Sequence, residues 1–78
     1  MKILQQLKEN HYTESEQQVI DYLLDHLEDL TLLSINDLAK KSYTSNATII
    51  RLCHKVGYQG YRQFKLALLK LINIWSVK

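Results

Sequence analysis

Apolar residues recur along this chain at spacings of three and four, and short polar breaks cut the pattern into five helical stretches. Residues 2–9 put Ile3, Leu4 and Leu7 on one side of a short helix, which can pack on the domain or on a second copy. Thr13 stands three residues before Glu16, the spacing at which a hydroxyl caps a helix and a carboxylate reaches back to the cap. The helix that follows is expected to reach about Asp29. Val19, Ile20, Leu23, Leu24 and Leu27 fall inward, and Glu14, Glu16, Asp21, Asp25 and Glu28 lie largely outward. Leu30, Leu32 and Leu33 form a connection tucked under the core. A third helix spans about Ile35 to Lys41, capped by Ser34, with Asp37 near its positive end and Leu38 and Ala39 buried. Ser42-Tyr43-Thr44 then breaks the pattern. Ser45 caps a fourth helix, about Asn46 to Val56, whose inward face is Ile49, Leu52, Cys53 and Val56. Gly57 ends it, being free to take a left-handed backbone. The fifth helix runs from about Tyr61 to Trp75, with Phe64, Leu68, Leu71, Ile72 and Trp75 in one stripe.

Two short helices joined by a three- or four-residue turn make a helix-turn-helix. Ala39 is small, which lets the second helix cross the first at close range. The fold expected for residues 1–78 is therefore all-α, a five-helix, homeodomain-like helix-turn-helix bundle in one domain. The outward face of the fourth helix is Asn46, Ala47, Thr48, Ile50, Arg51, His54 and Lys55, and it holds no acid. The major groove of DNA admits a helix. Asn46 suits adenine, Arg51 suits guanine, and Ala47, Thr48 or Ile50 suits a thymine methyl. For Arg51 a phosphate contact competes with a base contact. For Ser45, capping alone competes with an added phosphate contact. Lys40, Lys41, Ser45, His54, Lys55, Gln59, Tyr61, Arg62 and Lys65 complete the candidate phosphate contacts, the last four around the N-terminal N–H groups of the fifth helix. Tyr58 fits core packing better than DNA contact.

Charge sharpens this picture. Net charge is only +2, but residues 1–37 hold two lysines against all eight acids, a net of −6. The remaining eight Lys and Arg fall in residues 38–78 with no acid at all, a net of +8. A basic half attracts a polyanion, and an acidic half turned the other way is repelled by it. An ordinary solvated lysine face is the plainer alternative. Seventy-eight residues, 46% of them apolar, with two glycines and no proline, suit one small helical domain. One cysteine gives no disulfide framework and fits a reducing, cytoplasmic setting. No apolar run is long enough to span a bilayer, and the N-terminus lacks a signal-peptide layout.

Several runs now stand together: Ser34-Ile35, Leu38-Ala39, Ser45 with Ala47-Thr48-Ile49, Arg51-Leu52-Cys53, Lys55-Val56-Gly57-Tyr58, Gly60-Tyr61 and Phe64-Lys65-Leu66-Ala67-Leu68. With them the segment from Ser34 to about Leu68 resembles the N-terminal DNA-binding domain of the RpiR (MurR/RpiR) family of bacterial transcription regulators. Two positions depart from the family pattern: Tyr43 stands where glycine is usual, and Thr44 where an apolar residue is usual. Positive φ strains a tyrosine, so either the turn is altered or Tyr43 covers something. The resemblance implies operator DNA as partner and control of sugar or amino-sugar metabolism. It also implies a phosphosugar effector that binds a C-terminal sugar-isomerase domain absent from this chain.

Leu66, Ala67, Leu69 and Ile74 widen the apolar surface of the fifth helix beyond what one small core needs. Self-association as a homodimer, with residues 2–9 as a further candidate surface, competes with contact to a further domain. A protein-interaction module without base readout and an RNA-binding domain are the rival classes. No enzyme, cofactor or metal site is expected. Cys53 and His54 are helix neighbours that do not face each other. His11, His26 and His54 lack ligand spacing, and no phosphate loop or catalytic serine motif is present.

Overall fold

The computed structural model of the chain describes the backbone of residues 2–76 and the side chains of residue 5 and residues 7–71. Among the described residues there are five α-helices, one 3-10 helix and no strand. In order these are α1 (Lys2–Glu9), α2 (Glu14–Asp25), the 3-10 helix (Leu27–Leu32), α3 (Ile35–Lys41), α4 (Asn46–Lys55) and α5 (Tyr61–Ser76). The expected side-chain roles of Ile3, Leu4, Ile72, Ile74 and Trp75 lie outside the described residues.

Local chemistry sets each boundary. Thr13 and Glu16 form a complete capping box on α2: Thr13 Oγ1 accepts from the Glu16 N–H at 3.2 Å, and Glu16 Oε1 accepts from the Thr13 N–H at 3.0 Å. Ser34 and Asp37 do the same for α3. The second helix stops at Asp25, four residues short of the expected Asp29. His26 leaves helical geometry there, and its Nδ1 bonds the Tyr22 carbonyl at 2.8 Å while its ring stacks on Tyr22. A carbonyl only accepts, so Nδ1 carries the hydrogen.

The leucines that follow wind into the 3-10 helix. With three residues per turn, Leu27, Leu30 and Leu33 share one side. Leu30 and Leu33 are accordingly buried and Leu27 half-buried, whereas Leu32 is 81% exposed rather than tucked under the core. Leu24, expected inward, is 48% exposed. The core is Val19, Ile20 and Leu23 of α2, Leu30 of the 3-10 helix, Leu38 and Ala39 of α3, Ile49, Leu52 and Cys53 of α4, Val56 just beyond it, and Phe64, Leu68 and Leu71 of α5. Each large side chain buried there contributes about 1.5–3 kcal/mol. Leu7 of α1 packs against this core, and Tyr12 Oη donates to the Leu7 carbonyl at 2.7 Å, so α1 folds onto its own domain.

One acid departs from its expected place. Glu16 is not on the outer side of α2 but 97% removed from solvent, because its reach back to the cap carries it under the N-terminal turn.

Candidate nucleic-acid interface

The helix-turn-helix is built by α3, a tight joint and α4. Leaving α3, Tyr43 N–H bonds the Lys40 carbonyl at 3.3 Å and Thr44 N–H bonds the Ala39 carbonyl at 2.9 Å. These two bonds are a Schellman close, which needs positive φ at its turning residue. Tyr43 supplies it, with φ of 59°. Gly57 does the same after α4 with φ of 94°, through Gly57 N–H to His54 and Tyr58 N–H to Cys53. The turn is thus regular despite its tyrosine. Tyr43 covers nothing, being 89% exposed. Thr44 Oγ1 meets Ser42 Oγ at 2.9 Å, and Ser42 Oγ donates to the Leu38 carbonyl at 2.6 Å, so polar residues fill this joint without loss.

Ser45 caps α4, its Oγ accepting from the Thr48 N–H at 3.2 Å. Ile49, Leu52 and Cys53 of α4, with Val56, turn inward as their spacing predicts. Asn46, Ala47 and Arg51 are exposed and Ile50 is half-buried. Thr48 corrects the expected outward set: it is buried, with 5% of its surface exposed. It stands four residues before Leu52 and beside Ile49, at the margin of the inward stripe. From there its Oγ1 bonds Ser45 Oγ at 3.1 Å and accepts a long bond from Arg51 Nη2 at 3.4 Å. Asn46 Nδ2 donates to Asn36 Oδ1 of α3 at 2.6 Å. Asn36 was not among the expected site residues; it is a polar residue on the supporting helix, and only the crossing of the two helices brings it to Asn46.

The basic residues divide into two groups. Lys40, Lys41 and Arg62 are exposed, and none joins an ion pair among the described residues. Lys55, expected as a phosphate contact, is instead turned back on the fold. Its ammonium pairs with Glu16 Oε1 at 2.5 Å, bonds the His11 carbonyl at 3.0 Å and lies 5.6 Å from the centre of the Tyr12 ring. Burial alone would raise the Glu16 carboxyl, but the hydrogen bonds from Lys55 and Thr13 and the charge of Lys55 outweigh it and hold it below the ordinary carboxylate value. Lys65 donates to the Leu33 and Thr31 carbonyls at 3.0 and 3.2 Å, closing the end of the 3-10 helix. Tyr61 Oη donates to the same Leu33 carbonyl at 2.8 Å. Burial, with the Asp37 charge behind it, pushes the Tyr61 phenol up to about 12, so its proton stays. Two of the three Lys65 donors and the Tyr61 hydroxyl therefore point into the domain, not toward an external phosphate.

His54 Nε2 carries a hydrogen to the Gln59 carbonyl at 3.0 Å and ties the end of α4 to the next joint. Gln63 Oε1 accepts from the Gln59 N–H at 3.1 Å, ahead of α5. Tyr58 packs edge-on against Phe64 with ring centres 5.9 Å apart, which is core packing. Cys53 is buried and its thiol is pushed up to about 12 by that burial, so it is a small apolar side chain and not a nucleophile.

A tight left-handed joint between two short helices, the second with an acid-free exposed face, defines a helix-turn-helix domain. The chain belongs to the rpiR family of these domains: the family described as "Helix-turn-helix domain, rpiR family" matches residues 1–73. It is 37% identical over 75 residues to an uncharacterized HTH-type transcriptional regulator of Clostridium perfringens, covering 94% of this chain and 27% of the relative. It is 32% identical over 68 residues to the HTH-type transcriptional regulator GlvR of Bacillus subtilis, covering 83% of this chain and 27% of that protein. Its fold is similar to Vibrio vulnificus NanR, solved in complex with ManNAc-6P, with a TM-score of 0.85 and 34% identity over 96% of this chain and 29% of that one. The chain thus spans about a quarter of the length of these curated relatives. Among the described residues no helix is long and apolar enough to cross a membrane.

Proposed function

We propose that this domain binds duplex operator DNA in a sequence-specific way, with α4 in the major groove. The observation that carries the reading is the exposed, acid-free face of α4, with Asn46 and Ala47 at the leading end of the helix and Arg51 at its middle. Recognition helices meet base edges with residues near that end. Asn46 and Arg51 offer the hydrogen bonds that read adenine and guanine, and Ala47 and Ile50 offer apolar contact to a thymine methyl. Thr48 supports Arg51 from inside the domain. Lys40, Lys41 and Arg62 position the domain on phosphates, with Ser45, His54, Gln59 and the first N–H groups of α5 as further contacts.

The wider reading follows the relatives. They are named as transcriptional regulators, so we assign this domain to transcription control in the cytoplasm, with no catalytic role. The NanR complex with ManNAc-6P supports a phosphosugar effector and control of sugar or amino-sugar genes. A symmetric homodimer through α5, whose Leu66 is 50% exposed, would set half-sites about one helical turn apart or a multiple of it.

The direct test is Arg51→Ala on a panel of duplexes that differ at one base pair each. Loss of about 1–3 kcal/mol confined to one base pair fits base readout. Equal loss on every duplex, with a shallower salt dependence, moves Arg51 to the phosphate group.

A further inference from the structure

Asn36 and Asn46 meet where α3 crosses the start of α4, with Asn46 Nδ2 donating to Asn36 Oδ1 at 2.6 Å. Both side chains are exposed. Among the described residues Asn36 makes no other side-chain hydrogen bond: the cap of α3 is made by Ser34 and Asp37, and its buried face by Leu38 and Ala39. An asparagine amide presents an acceptor oxygen on one side and a nitrogen with two hydrogens on the other. Adenine offers the reverse, an N7 acceptor beside an N6 donor, so the amide must face it one way round. With one Nδ2 hydrogen held by Asn36, the Asn46 amide has a set orientation. Its Oδ1 and its second Nδ2 hydrogen are what remain to meet a base pair.

We infer that Asn36 is a positioning residue for base readout: by holding one hydrogen of the Asn46 amide, it sets which base edge Asn46 accepts. The inference rests on the reading of α4 as a base-reading helix. An amide already held loses less freedom on binding, and one immobilised side chain is worth a factor of about 2–10 in affinity. The chemistry asks only for an acceptor at position 36, so a carboxylate there does the same work.

The experiment compares the unaltered chain with Asn46→Ala, Asn36→Ala, Asn36→Asp and the double Asn36→Ala/Asn46→Ala. Each binds a duplex enriched from a random pool and its single-base-pair variants, with thermal unfolding as a check on the fold. Asn46→Ala is expected to remove discrimination at one base pair. Asn36→Ala lowers discrimination at that same base pair about 2- to 10-fold, leaving the other base pairs and the salt slope unchanged. Asn36→Asp keeps the discrimination while its charge weakens binding to all duplexes, and the double variant matches Asn46→Ala at that base pair. If Asn46→Ala removes discrimination and Asn36→Ala leaves it intact, the positioning role is overturned and base readout stands. If Asn36→Ala weakens all duplexes alike, Asn36 is a phosphate contact and the inference fails. If Asn46→Ala alters no preference, the base-reading role of Asn46 itself is wrong and the inference falls with it.

Discussion

Glu16 and Lys55 stand 39 residues apart and form the ion pair that ties the start of α2 to the end of α4. Removing Lys55 leaves a buried carboxylate without its cation. Breaking a fully buried pair costs about 3–5 kcal/mol. Lys55 keeps 31% exposure, so Lys55→Ala should cost less, about 2–3 kcal/mol, read as a lower midpoint in denaturant. A phosphate role would instead leave stability alone and flatten the salt dependence of DNA binding. The pair also sets an acid limit. The folded-state Glu16 carboxyl lies below its unfolded value of about 4.5, so the folded chain binds this proton more weakly than the unfolded one. Its contribution is complete above pH 4.5 and is lost as pH falls through the lowered folded value. Melting curves of the unaltered chain and Glu16→Gln should therefore converge below pH 4.5; a constant gap would contradict the shift. Tyr43 is the opposite case, a strained residue with an exposed ring. Tyr43→Gly removes a left-handed penalty of about 1 kcal/mol and should raise the melting temperature by several degrees. A fall would mean that the ring holds something. The capping pairs Thr13–Glu16 and Ser34–Asp37 were readable because their chemistry is local. The Glu16–Lys55 pair was not, since nothing in the sequence links positions so far apart.

At the scale of elements, periodicity located all five helices, and α3, the joint and α4 fell where their caps and glycine placed them. Two features escaped it. The leucine-rich connection follows a three-residue period, too short to separate from a continuing helix until His26 is seen to stop α2. Thr48 sits at the margin of the inward stripe, where composition argued for the surface and packing decided for the interior. The basic residues on and before α5 likewise separate only in three dimensions. Lys65 and Tyr61 clamp the end of the 3-10 helix, whereas Arg62 makes no ion pair among the described residues. Lys65→Ala should thus lower stability by about 1–2 kcal/mol through its lost hydrogen bonds, while changing the salt slope of DNA binding by well under one unit. Arg62→Ala should leave stability unchanged and reduce that slope by about 0.9. Titrations at a series of salt concentrations, set beside unfolding curves, separate the two; interchanged results would reverse the assignment.

For the whole molecule, the decisive feature is the division of charge. All eight acids lie in residues 1–37 and residues 38–78 hold none, so the side that carries α4 faces a polyanion without opposition from its own half of the chain. That division was plain from the sequence; which cations it leaves free for DNA was not. The apolar surface of α5 sets the second expectation. If Leu66 lies in a dimer contact, Leu66→Glu should shift sedimentation of the domain from dimer toward monomer without unfolding it. An unchanged sedimentation profile would move the contact elsewhere. The central claim is that α4 reads bases. Selecting bound duplexes from a random pool with the purified domain, at two salt concentrations, tests it most directly. One short enriched motif is expected at both concentrations, with weaker binding at the higher salt. Retention of DNA that stays random in sequence would contradict it.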